Sequence, residues 1–205
     1  MVQPLNYLKE TPSQTAGPYV HIGLAPGAAG FRLFDQELGQ VIAAPGVPGE
    51  RIKVSGVVRD ATGAPVKDVL IEVWQADANG IYPHPEDPRV ADCAPGFRGW
   101  GRVITEFETG EWAFETIRPG AVPMKAGGVQ APHLTLWLVA RGINVGLATR
   151  MYFPEDAGLH DSDPVLRSIE QRQRVATLIA KAEAPGQYRF DIRLQGEGET
   201  VFIDI

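Results

Sequence analysis

The sequence predicts an all-β fold: a mainly antiparallel β-sandwich with one or two short helices and long loops. Three observations carry that expectation. Residues 187–194, QYRFDIRL, alternate with a period of two, placing Tyr188, Phe190, Ile192 and Leu194 on one face and Arg189, Asp191 and Arg193 on the other. Glycine and proline, 23 and 17 residues, punctuate short β-like runs along the chain and do not gather into one linker. At 205 residues the chain can bury one sizeable core, so a single domain over residues 1–205 is expected.

The elements follow in order. FRLFDQELGQ, residues 31–40, reads as a short helix. RIKVSGVVRD (51–60) and KDVLIEVWQA (67–76) read as strands bounded by the turn formers ATGAP and DANG. DANG, residues 77–80, has a superficial likeness to a calcium loop, but its glycine falls too early and the remaining loop carboxylates are missing, so it reads as an Asn-Gly turn. GRVITEF and EWAFETI flank ETG and predict a hairpin over residues 101–117. HLTLWLVA and GLATRMYF around RGIN predict a second hairpin. In residues 161–183, Ser162 or Asp163 can cap a helix, Pro164 suits its first turn, and Val165, Ile169, Val175, Leu178 and Ile179 recur at near-helical intervals. ETVFIDI (199–205) reads as a last strand. The long loops expected at 11–50 and 80–100 are where a site or an interface belongs.

Composition removes several classes of function. A net charge of −6, with 19 basic residues scattered along the chain, argues against a nucleic-acid partner. The N-terminus has no apolar signal core, no run approaches the ~18 apolar residues of a membrane span, and the single Cys93 cannot form an internal disulfide, so a cytoplasmic protein is expected. No G-x-S-x-G elbow, phosphate-cradling loop, C-x-x-C pair or H-E-x-x-H helix is present, and nothing places a base beside Cys93. On the strand 133–140, His133 and Thr135 share a face while Leu134, Leu136 and Leu138 point to the core. A lone strand histidine reads either as a hydrogen-bonded structural residue or as a ligand, and one histidine makes no metal site.

ETPSQTAGPYV, VWQADANGIY, IRPGAVP, APHLTLWLVARG and YRFDIRLQGEGETVFID, in that order along nearly the whole chain, resemble the intradiol ring-cleavage dioxygenases, and among them the α-type chains of the members that act on protocatechuate. The resemblance implies a β-sandwich and, in catalytic chains, a ferric ion held by two tyrosines and two histidines. Hard Fe(III) suits phenolate oxygen, and the metal must offset removal of a proton from a phenol of pKa about 10. Carried over residue by residue, Tyr82 keeps the first tyrosine position, Val122 replaces the second, His133 keeps one histidine and Thr135 replaces the other. A nearby arginine of catalytic chains is Gln130 here. Those positions read as vestigial, with no metal held by this chain. The implied role is therefore that of a subunit beside a homologous β subunit, which carries the Fe(III), in cleavage of protocatechuate by O2 to 3-carboxy-cis,cis-muconate.

The same resemblance assigns residues 1–20 to an arm that contacts the partner, with Thr15, Gly17 and Pro18 near substrate and Tyr19 near the partner's active site. From its residues alone this segment is equally a docked arm turned by Gly17-Pro18. Arg141 reads either as a solvated turn cation or as a bidentate clamp for an aromatic carboxylate. Alternatives kept open are a self-sufficient dioxygenase with substitute ligands and a purely structural or binding β-sandwich; a carbohydrate-binding module is disfavoured because the aromatic residues fall mostly at strand core positions, not in an exposed row.

Overall fold

The computed structural model describes residues 15–17, 19–125 and 127–204. The chain enters through a one-and-a-half-turn helix α1 (Tyr19–Leu24) and then forms strands β1 (Arg51–Arg59), β2 (Val69–Trp74), β3 (Trp100–Ile104), β4 (Glu111–Ile117), β5 (Val122–Pro123), β6 (Val129–Gln130), β7 (His133–Ala140) and β8 (Leu147–Tyr152). Helices α2 (Ala157–His160) and α3 (Pro164–Ser168) follow, then β9 (Lys181–Ala184), β10 (Gln187–Arg189) and β11 (Ile192–Arg193). One sheet has the order β3-β2-β7-β8, all antiparallel. The other is built on β1, which pairs with β4 antiparallel on one edge and with β10 and β11 parallel on the other. Ile71, Val73, Leu134, Leu136, Leu138 and Met151 of the first sheet pack against Val54, Val58, Trp112, Phe190 and Ile192 of the second, forming the core of a sandwich.

The expected alternation in 187–194 is present, with Tyr188, Phe190 and Ile192 buried. The run is nevertheless two short strands. At the break the carboxylate of Asp191 accepts from the Val57 amide at 3.0 Å, so a side chain replaces the missing rung of the ladder. The hairpin expected over 133–152 is found as β7 and β8, and the Asn-Gly turn at 77–80 is found with Gly80 at φ 73°.

Four expectations are corrected. Residues 101–117 do not pair as a hairpin: β3 belongs to one sheet and β4 to the other, and buried Thr105 starts the crossing, its hydroxyl accepting from the Val69 amide at 3.0 Å. Residues 31–40 are not helical. Their apolar residues Phe31, Leu33, Phe34 and Leu38 stay exposed, and a helix this short is marginal without a surface on which to bury its stripe. The long helix of 161–183 is split into α3 and a 3-10 turn at Arg172–Leu178. Asp163 caps α3 by accepting from Val165 and Leu166, but Ile169 is extended and Arg172 donates back to the Leu166 carbonyl. This lets the chain run Ile179 alongside Tyr152 and on into β9. Residues 199–205 form no strand among the described residues, only a bridge between Ala148 and Ile203. Within 11–50 the structure also holds α1, which the sequence reading left as loop. No helix among the described residues is long and apolar enough to cross a membrane.

Gly56 lies where β1 passes closest to its neighbours. A Cβ there would stand 2.0 Å from the Phe190 carbonyl oxygen and 2.6 Å from the Trp112 ring. Gly56→Ala is expected to cost about 2–3 kcal/mol by overpacking and to lower Tm by roughly 5–10 °C in thermal unfolding.

Candidate functional site

Two groups of the expected residues are placed at opposite ends of β7. The first is at its start. After β2 the chain turns tightly around Asp77, whose buried carboxylate accepts from the amides of Asn79 (2.9 Å), Ile81 (3.0 Å) and Ala94 (3.1 Å). Gly80 completes the turn at positive φ, where a Cβ would meet the Ala121 carbonyl at 1.9 Å. This turn delivers Tyr82 onto the outer face of the first sheet. Its ring stacks on Trp74 with centroids 5.6 Å apart, and its hydroxyl lies 3.3 Å from His133 Nε2.

His133 is 2% exposed, and its Nδ1 stands 2.7 Å from the Ala131 carbonyl. A carbonyl can only accept, so Nδ1 carries the proton and Nε2 accepts from the Tyr82 phenol. Burial, with the positive charge of Arg150 adding to it, lowers the His133 pKa to about 4. Burial likewise raises the Tyr82 phenol above its ordinary value, while Arg150 opposes that shift. Both groups are neutral near pH 7 and each satisfies the other.

The remaining positions supply little. Val122 is buried in β5, paired with Gln130 of β6. Thr135 sits on β7 directly across from Arg150 of β8. The Arg150 guanidinium donates to Gln130 Oε1 at 2.6 Å and to Tyr152 Oη at 3.4 Å. Neither Gln130 nor Arg150 could be paired from sequence, although Arg150 and Tyr152 are two residues apart on one strand and so had to share a face.

These residues do not fit a ferric ion. Two neutral donors already bonded to each other, a valine, a threonine and a neighbouring guanidinium offer no anionic oxygen to offset the metal's charge. Among the described residues no group of three or more His, Cys, Asp and Glu is placed to hold a metal ion. Beside Tyr82 lies a cavity of about 680 Å3 whose wall includes Trp74, His84, Val122 and Met124.

The second group is at the other end of β7, in the turn to β8. Thr15 Oγ1 donates to the Ile143 carbonyl at 3.1 Å and accepts from the Gly142 amide at 2.8 Å, so Thr15 is docked on this turn. Gly17 starts the chain into α1 through its carbonyl, which accepts from Val20 at 3.0 Å. Tyr19 is 80% exposed, and Pro18 lies outside the described residues. Arg141 opens the turn, its side chain 68% exposed and its Nη2 3.0 Å from Asp68 Oδ2. The structure therefore brings Thr15 and Arg141 together. It holds both away from Tyr82 and His133, because eight residues of strand at ~3.3 Å each separate His133 from Arg141 by about 26 Å.

A family model described as Dioxygenase matches residues 34–196. The protocatechuate 3,4-dioxygenase alpha chain of Pseudomonas putida is 52% identical over 204 residues, 98% of this chain and 99% of that one. The protocatechuate 3,4-dioxygenase beta chain of Burkholderia cepacia is 36% identical over 184 residues, 85% of this chain and 77% of that one. Among solved structures, the dioxygenase domain of a dioxygenase carbohydrate-binding fusion protein from Streptomyces sp. SirexAA-E matches with a TM-score of 0.57 at 25% identity, covering 94% of this chain and all of that one.

The burial of His133 has a consequence for stability. Its folded pKa of about 4 lies below the ordinary value of 6.5, so the unfolded chain binds more protons in between, and stability falls as pH drops from about 6.5 to about 4. His133→Gln is expected to flatten the plot of Tm against pH over that window. An NMR titration of the wild type should show this imidazole neutral until pH approaches 4.

Proposed function

The chain belongs to the intradiol ring-cleavage dioxygenases, and on that premise we propose that it serves as the α-type subunit of a heteromeric protocatechuate 3,4-dioxygenase. A homologous β subunit holds the ferric ion, and this chain helps to wall the substrate pocket. The observation that carries this reading is the separation along β7. The residues suited to a substrate carboxylate stand at one end, and the incomplete ligand positions at the other. A substrate held by Arg141 must then react at a centre brought by another chain.

The work assigned to this chain is binding and orientation. Protocatechuate carries its carboxylate on the ring side away from the two hydroxyls. A guanidinium holding that carboxylate fixes which ring atoms face the partner's iron, converting an encounter into a reactive geometry. The same reading assigns Thr15 and Gly17 to the approach and Tyr19 to the contact with the partner; Pro18, assigned with them, lies outside the described residues. The exposed apolar residues Tyr19, Ile22, Leu24, Phe31, Leu33 and Phe34 support a partner-covered surface, since such residues crowded into one short segment are unusual on a free monomer. A cytoplasmic location belongs to the same reading.

Two measurements test it. Elemental analysis of the isolated chain after ferric loading should find far less than one iron per chain and no phenolate-to-iron colour, while the co-purified pair carries iron and cleaves protocatechuate. Near-equimolar iron in the isolated chain overturns the assignment. In the assembled enzyme, Arg141→Ala should raise KM for protocatechuate about tenfold or more and lower kcat modestly, as expected when a charged contact to substrate is lost; unchanged kinetics would remove Arg141 from the pocket.

A further inference from the structure

We propose that Asp68 is a positioning residue for substrate recognition, holding the Arg141 guanidinium where it meets a substrate carboxylate. The proposal rests on the reading of Arg141 given above and extends it to a residue outside the arm and the turn. Three features of the fold support it.

Asp68 immediately precedes β2, whose first residue, Val69, is registered against Ala140, the last residue of β7. Continuing that register sets Asp68 opposite Arg141, so the contact between them is fixed by the pairing of two central strands. The Asp68 side chain is only 23% exposed, whereas Arg141 is 68% exposed. The carboxylate is thus the anchored partner and the guanidinium the mobile one. An arginine at an exposed turn otherwise samples many rotamers, and fixing it in advance favours any ligand that needs one of them.

The contact also leaves the guanidinium with recognition capacity. Asp68 meets the guanidinium at Nη2, 3.0 Å from its Oδ2, and the planar fork carries five N–H donors. The remaining donors are the ones a planar carboxylate can take in pairs.

The third feature is the support behind the pair. His21 of α1 is buried with its ring 5.4 Å from Phe107, and its imidazole lies within reach of the Asp68 charge. Thr15 pins Gly142 and Ile143 on the other side. The arm, the start of β2 and the β7–β8 turn therefore form one cluster around the Arg141–Asp68 contact.

The test uses the assembled enzyme, with assembly checked by size-exclusion chromatography. Steady-state kinetics with protocatechuate are combined with competitive inhibition by 4-hydroxybenzoate and by its neutral counterpart 4-hydroxybenzamide. Asp68→Asn is expected to raise KM for protocatechuate and Ki for the benzoate about five- to tenfold, with kcat and the Ki of the amide near wild type. Asp68→Glu should restore most of the loss, and Asp68→Ser serves as a second neutral variant should the amide perturb the strand end. A merely structural role would weaken both inhibitors together, and that result overturns the proposal. So does an unchanged or lowered KM in Asp68→Asn when Arg141→Ala abolishes the preference for the benzoate over the amide. If Arg141→Ala itself leaves the discrimination intact, the carboxylate-clamp reading fails and takes this proposal with it.

Discussion

The burial of one side of β7 is the constraint on which the rest of the arrangement depends. Leu134, Leu136 and Leu138 are fully buried between the two sheets, and side chains alternate along a strand. Fixing those three inward therefore fixes His133 and Thr135 outward. A slip of one residue would expose three leucines and bury a histidine and a tryptophan against the core, so the register is strongly held. The same strand sets the distance between its two ends. The 77–82 turn and the β5–β6 pair flank the histidine end, and Thr15 is bonded to the turn at the arginine end.

At the histidine end, burial accounts for what has been kept. A buried phenol and a buried imidazole are each costly without a partner, on the order of 1–3 kcal/mol per unsatisfied group. Tyr82, His133 and the Ala131 carbonyl form an unbroken chain of donors and acceptors. Replacing only one member would orphan another. Gln130 and Arg150 form a second such pair, and Asp163 a third: its two oxygens accept from Ala131, Val165, Leu166 and Tyr152. These groups satisfy one another, whereas the buried Nε2 of His160, whose ring packs edge-on against Tyr152, has no hydrogen-bond partner.

The parts of this fold legible in the sequence were those with local causes. Apolar runs bounded by turn formers located β1 and β2, the RGIN turn located β7 and β8, period-two alternation located the 187–194 run, and the Asn-Gly pair located the turn that carries Tyr82. The errors came from partners distant in the chain. Nothing local distinguishes a turn that closes a hairpin from one that carries the chain across a sandwich, so β3 and β4 were paired with each other. Phe31, Phe34 and Leu38 have helical spacing but no surface within this chain to bury them. The seven residues of ETVFIDI alternate like a strand yet find one bridge and no ladder. In the site, Thr15, Tyr82, His133 and Arg141 were legible as residue types at marked positions. Asp68 and Arg150 were not, because their meaning lies in cross-strand register with Arg141 and Thr135.

The two ends of β7 also bear on why such a chain would work only in company. A single-ring substrate spans well under the ~26 Å of eight strand residues, so no one molecule can touch both Arg141 and the Tyr82–His133 pair. If the turn end recognises substrate, the reacting centre has to come from outside the chain, approaching the surface on which the arm is docked. Residues 19–34 carry exposed apolar side chains, Tyr19 at 80% exposure, Leu33 at 63% and Phe34 at 56%. Such side chains gain by being covered, at roughly 25 cal/mol for each Å2 of apolar area removed from water. Assembly and recognition would then share one cause. On the proposed reading, a contact that covers these apolar residues would also bring the partner's metal centre opposite Arg141.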